Sequence, residues 1–162
     1  MSFIEEVKKR ARKQIKTIVL PEAEDIRILE ATSQVLKEGY ANIILIGNKE
    51  KIEEKAKENN FIIEGVQIVE PSKDTNFEKY VNLLYELRKN KGMTIEDAEK
   101  LVKDPVYYGM LMVKDEETKA DGLVSGAAHS TSETLRPALQ ILKTAPRYKI
   151  SFCLFCYGST RL

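Results

Sequence analysis

The strongest constraint on this chain is a set of short, unbroken apolar stretches, "KTIVL", "ANIILIG", "VQIV" and "ADGLVSG", separated by charged segments of helical periodicity. A strand with one wet face alternates apolar and polar residues. A continuous apolar run of this length is instead buried on both faces, as in a parallel sheet. The intervening segments carry apolar residues three and four apart. Residues 2–14 place Phe3, Ile4, Val7 and Ala11 on one stripe, and the segment after Pro21 is helical up to Gly39. Further helices are expected in "KEKIEEKAKENN" and in "NFEKYVNLLYELRKNKG", the latter closed by Gly92. Two more are expected around 94–103 and 105–114, and a last one ends near Lys143. Strands alternating with helices predict an α/β fold, a doubly wound and mainly parallel sheet with helices on both faces in three layers.

The length of 162 residues suits one domain, or one lobe of a larger protein. With 26 Lys and Arg against 25 Asp and Glu, no basic field points to nucleic acid. No apolar window of about 18 residues is present, so no membrane association is expected. The first segment is amphipathic, but Glu5 and Glu6 and the lack of an apolar core argue against a secretory or mitochondrial leader. A cytoplasmic location is the expectation. Cys153 and Cys156 form a lone C-x-x-C, which His129 does not complete to four zinc ligands. No metal and no redox role are expected.

The chemistry concentrates in "DGLVSGAAHSTSETLRPALQ", residues 121–140. A serine nucleophile fits badly: "GLVSG" misses G-x-S-x-G by one place, and His129 lies only four residues beyond Ser125. On its own, His129 reads as a loop residue bonded to backbone. An anion cradle fits better. Gly126, Ala127 and Ala128 let backbone N–H groups approach a ligand, and Ser125, Ser130, Thr131 and Ser132 carry hydroxyls. A helix follows at once, offering free N–H groups, with Ser130 and Glu133 spaced as a capping box. Thr134 is an alternative cap that would put Pro137 in the first turn. Arg136 supplies a planar fork suited to phosphate. The rival reading is a polar loop whose caps only end a strand and start a helix. Arg27, one turn into its helix, and Arg88, near a helix C-terminus, read as anion ligands or as solvated charges.

Four segments, "TIVLPEAEDIRILEA", "YELRKNKGMTIEDA", "YYGMLMVK" and "ADGLVSGAAHSTSETLRPALQILKTAP", together resemble the phosphate acetyltransferases. The resemblance runs from residue 1 to Pro146, and the loop is its most specific part. Phosphate butyryltransferases share the fold but are less similar in the loop. The resemblance implies transfer of an acetyl group between coenzyme A and phosphate, with acetyl phosphate as the partner substrate. No tightly bound cofactor is implied; acetyl-CoA and CoA are substrates. It implies direct attack of the CoA thiolate on the acetyl phosphate carbonyl. Arg88 and Arg136 match arginines that bind substrate anions, and Ser125, Gly126, Ser130 and Thr131 match the phosphate-pocket loop. Arg27 matches an arginine of less certain role. Family members are homodimers of about twice this length, with a second α/β domain and a return segment that holds the catalytic serine, arginine and aspartate. On that basis this chain retains no catalytic residue, is expected to be inactive alone, and is expected to self-associate. The rivals are a site completed across a homo-oligomer and a non-catalytic phosphate- or CoA-binding module.

Residues 1–146 are accordingly expected to be the N-terminal α/β domain, and residues 147–162 to lie outside the family pattern. Arg147 to Ser159 can be back-translated so that deleting one base yields "GTKLVSAFFVMVP", the continuation the resemblance implies. One extra nucleotide near codon 147 is therefore expected in the gene, with Cys153 and Cys156 as by-products of frame. Phe152, Leu154 and Phe155 are expected to stand in for the lost strand.

Overall fold

A computed structural model describes residues 2–143 of the chain. The expectations for Phe152, Leu154 and Phe155, the cysteine pair and the boundary after Pro146 fall outside the described residues. The elements follow the order read from the sequence: α1 (Phe3–Lys13), β1 (Lys16–Leu20), α2 (Ile26–Glu38), β2 (Ala41–Ile46), α3 (Lys49–Glu58) and β3 (Gln67–Val69). Then come α4 (Phe77–Arg88), α5 (Ile95–Val102), α6 (Pro105–Lys114), β4 (Gly122–Leu123) and α7 (Thr131–Ile141).

Among the described residues the strands form one sheet in the order β3-β2-β1-β4, and every pairing is parallel. The unbroken apolar runs have the expected cause. In β2, Ile44 and Ile46 enter the core shared with α4, α5 and α6, while Ile43 and Leu45 enter the core under α2 and α3. Both faces are thus dry, and the layers are helix, sheet, helix. Tyr80 of α4 and Tyr108 of α6 meet edge to face at 4.9 Å in the first core. Tyr108 Oη is satisfied by Asp74 at 2.6 Å, as a buried hydroxyl requires.

Helix α6 lies unusually close to the sheet because of Gly109. A Cβ built there would come within 2.6 Å of Leu123 Cδ1 and 3.0 Å of Val19 Cγ1. Any larger residue would push α6 off β1 and β4, at a cost of about 1–3 kcal/mol. The short β4 is fastened at its N-terminal end by Asp121, whose carboxylate accepts from Thr17 N and Lys16 Nζ, both at 2.8 Å. That stitch sets the register of β4 on β1, and so fixes where the following loop emerges. By contrast α1 buries none of its residues and is tied to α2 by Lys8 and Arg12, both paired with Glu38.

Candidate functional site

The connections from β1 lead outward through β2 to β3, whereas β4 returns to the other flank of β1. The strand order therefore reverses between β1 and β4, and open α/β sheets bind ligands at the carboxyl ends of such neighbours. Two segments leave the sheet there, Pro21–Glu22 after β1 and the loop 124–130 after β4.

They meet through one carboxylate. Glu22 Oε2 accepts from Gly126 N at 2.8 Å and Ala127 N at 2.9 Å. Its Oε1 accepts from Ala128 N and His129 N, both at 2.7 Å, and contacts His129 Nδ1 at 2.9 Å. The Glu22 side chain is only 1% exposed. Four successive N–H groups can converge in this way because Gly126 has φ 121°, a conformation that side-chain-bearing residues rarely adopt. No atom would obstruct a Cβ there, so the glycine is needed for its backbone rather than for space. Burial alone would raise the Glu22 carboxyl. The bonds from Ala128, Ala127 and His129 outweigh it and hold the group at about 2.

The loop is gripped on its carbonyl side as well. Arg27 Nη2 donates to the Ala127 carbonyl at 2.5 Å, while Arg27 Nε and Nη2 bind Asp25 at 3.0 and 2.6 Å. Asp25 in turn caps α2 by accepting from Arg27 N at 2.9 Å. The Arg27 side chain first, then its N–H, draws the Asp25 carboxyl down to about 2. Arg27 is therefore a clasp on the loop.

The rest of the loop starts α7. Ser130 and Glu133 form the expected capping box: Ser130 Oγ accepts from Glu133 N at 3.3 Å, and Glu133 Oε2 accepts from Ser130 N at 2.7 Å. With Ser130 as the cap, Thr134 is not one, and Pro137 stands inside the helix. Its ring leaves the Glu133 carbonyl without an intrahelical donor. Ser125 Oγ lies 3.4 Å from Thr134 Oγ1, and Thr131 opens the helix on its exposed side. Two details of the sequence reading change. The ring of His129 bonds a carboxylate rather than backbone, and the small-residue cradle does close on an anion, but that anion is Glu22.

A second cluster lies where α4, α6 and α7 converge. Arg88 is the last residue of α4, and its Nε is buried without a hydrogen-bond partner among the described residues. On the α5 side it lines a separate hollow of about 390 Å³ together with Lys91, Lys100 and Asp97. Tyr107 Oη donates to Gln140 Oε1 at 2.9 Å. Burial pushes this phenol up, and the charges of Arg136 and Arg88 both work against that rise. The charge of Asp104 adds to the rise.

Of the residues singled out in the sequence, Arg88 and Arg136 both bear on Tyr107 through their charge. Ser125, Gly126, Ser130 and Thr131 lie on the segment that runs into α7 and Arg136, and Arg27 reaches that loop at Ala127. Sequence reasoning missed Glu22, Asp25, Tyr107 and Gln140. The available signal for Glu22 was an acidic residue directly after a buried strand, facing a loop with several free N–H donors. A cleft of about 220 Å³ opens beside the loop, lined by Pro21, Glu22, Gly47, Pro105, Ala128 and His129. Among the described residues, no three His, Cys, Asp or Glu side chains are grouped to hold a metal, and no helix is long and apolar enough to cross a membrane.

Comparison with known proteins agrees with this architecture. The family model described as phosphate acetyl/butaryl transferase matches residues 2–161. That range includes residues past Pro146, the segment that the reading-frame argument sets apart. The phosphate acetyltransferase of Acetivibrio thermocellus is 51% identical over 155 residues, covering 96% of this chain and 46% of that protein. The one from Clostridium acetobutylicum is 46% identical, with 93% and 44% covered. Among solved structures, the EutD phosphotransacetylase from Staphylococcus aureus superposes with a TM-score of 0.80 at 37% identity, covering 91% of this chain and 44% of that one. A phosphotransacetylase from Streptococcus pyogenes gives a TM-score of 0.83 at 36% identity, with 90% and 44% covered. The chain thus spans just under half the length of the relatives it matches.

Proposed function

We propose, for a chain that belongs to the phosphate acetyl/butaryl transferase family, that Arg88, Arg136 and the loop 125–131 form one wall of a site for acetyl transfer between coenzyme A and inorganic phosphate. The observation that carries this reading is the buried Nε of Arg88, which has no partner among the described residues. A buried donor on a cation costs free energy when left unmatched, about 1–3 kcal/mol or more. A phosphate dianion between two guanidinium forks would satisfy it. Relatives named phosphate acetyltransferase favour an acetyl over a butyryl substrate.

In the reaction proposed, a thiolate sulfur bonds to the carbonyl carbon of acetyl phosphate, and the bond from that carbon to the oxygen bridging to phosphorus breaks. Phosphate then leaves with the electron pair. Negative charge gathers on the carbonyl oxygen and the departing phosphate, where fixed positive charge is most effective. The N–H groups of 126–129 already serve Glu22. That duty therefore falls to Arg88, Arg136 and the hydroxyls of Ser125, Ser130 and Thr131. No metal or bound cofactor enters these steps.

The residues that activate CoA are taken to lie in the half of the relatives that this chain does not match, so phosphate binds here without turnover. A cytoplasmic location and a dimeric family assembly belong to the same reading. So does self-association of this chain through exposed Val124, Leu139 and Leu142. Residues 147–162 are proposed to be out of frame, which sequencing the gene decides: natural codons that give no family peptide in the other frame reject it.

The test is an assay of acetyl-CoA formation from acetyl phosphate and CoA, with calorimetric phosphate titration in parallel. Saturable phosphate binding without turnover is expected, weakened at least about 10-fold by Arg136→Ala. Turnover that Arg136→Ala abolishes would overturn the assignment of inactivity. Absence of phosphate binding would overturn the site itself.

A further inference from the structure

We infer that Glu22 is the positioning residue of this site: its carboxylate holds the loop against β1 and fixes His129 as the Nδ1–H tautomer, so that Nε2 is the nitrogen left with a lone pair. Nothing in the sequence pattern or in the comparisons assigns Glu22 a role.

The geometry leaves little freedom. An ionised carboxylate only accepts hydrogen bonds. The four N–H groups of 126–129 at 2.7–2.9 Å require an acceptor at both oxygens, and they keep the group ionised. His129 Nδ1 at 2.9 Å from Oε1 must therefore carry the proton. In a neutral imidazole the other nitrogen is then the acceptor. No described residue bonds Nε2, and His129 is among the residues lining the cleft between Pro105 and the ends of β1 and β2. The device resembles the way enzymes orient a histidine through a buried carboxylate on its far nitrogen. Here the same carboxylate also sets the backbone on which the histidine sits, so loop and ring are held as one unit.

A second consequence concerns anions. A negative charge already fills the nest of N–H groups, so inorganic phosphate is kept out of the loop backbone. An acceptor nitrogen on a residue that lines the cleft suits a protic ligand group such as a thiol S–H. That last assignment rests on the proposed acetyl transfer, whereas the tautomer and the loop geometry do not.

The chain has a single histidine, so long-range proton–nitrogen spectra of the uniformly labelled full chain report His129 alone. At a pH where the ring is neutral, wild type is expected to show a protonated Nδ1 and an unprotonated Nε2. In Glu22→Ala the Nε2–H form should dominate, and the amides of 126–129 should exchange with solvent at least about 10-fold faster. Added formate, a carboxylate small enough to enter the nest, should reverse both changes while leaving wild type unaltered. If Glu22→Ala does not fold, Glu22→Gln still discriminates. Its Oε1 can keep the Nδ1–H tautomer and the amides of 128 and 129 protected, while those of 126 and 127 lose protection. A wild-type ring protonated at Nε2, or a tautomer unmoved by Glu22→Ala, overturns the inference. Failure of phosphate to bind with the Nδ1–H tautomer intact would reject the acetyl-transfer reading and leave this one standing.

Discussion

The two clusters at the carboxyl end of the sheet treat charge in opposite ways. Around Glu22 the charged groups are matched: the four loop N–H groups and His129 Nδ1 take the carboxylate, and Arg27 takes Asp25 and the Ala127 carbonyl. Around Tyr107 the cations are not matched. Arg88 Nε is buried without a partner, and Arg136 shares the neighbourhood with no ion pair among the described residues. Hydrogen bonds completed inside the protein stabilise a shape. Donors left incomplete cost stability and remain available to a ligand. The loop that looks most like an anion site is therefore closed by the protein's own carboxylate, and the unmatched donor lies elsewhere, at the end of α4.

The largest expected effect probes the matched cluster. The Glu22 carboxyl is held at about 2 against a usual 4.5, so its contribution is complete above pH 4.5 and disappears as pH falls toward 2. That depression corresponds to up to about 3 kcal/mol, or roughly 10 °C in melting temperature. Glu22→Gln should lose most of it at pH 7, and melts of the two proteins should converge near pH 2. A pH-independent gap between them would break the comparison.

A smaller loss is expected from Gly126→Ala, about 1–3 kcal/mol, because the strain lies in φ 121° and not in crowding. Thermal melts check this. A neutral result would mean that the loop can turn without its glycine, and the nest with it.

The smallest effect has the opposite sign. Arg88→Met removes a buried unmatched donor and should raise stability by about 1 kcal/mol, while cutting phosphate affinity at least about 10-fold. If instead it destabilises the chain, Arg88 is a structural group and the contrast between the clusters fails.

Much of the fold was legible because periodicity encodes it directly. The unbroken runs of β1 and β2 are dry on both faces, and Gly39 and Gly92 close α2 and the turn after α4 in left-handed conformations, as read. The capping box at Ser130 was also readable, since its parts lie three residues apart. What stayed hidden depends on contacts between distant segments. Glu22 meets the loop across more than a hundred residues of chain, and only the placement of β4 beside β1 brings them together. Arg27, open in the sequence between an anion ligand and a solvated charge, is taken up by Asp25 and the Ala127 carbonyl. Of the two caps the spacing offers, Ser130 rather than Thr134 starts α7, which leaves Pro137 inside the helix. Tyr107 and Gln140 carry no motif at all, and their pairing follows from how α6 and α7 pack.

A phosphate titration followed by nitrogen-detected spectroscopy tests the central contrast most directly. Added inorganic phosphate should move the Nε resonances of Arg88 and Arg136 in a saturable way and leave the amides of 126–129 in place. Phosphate-dependent shifts confined to those four amides, with both arginines silent, would contradict the account.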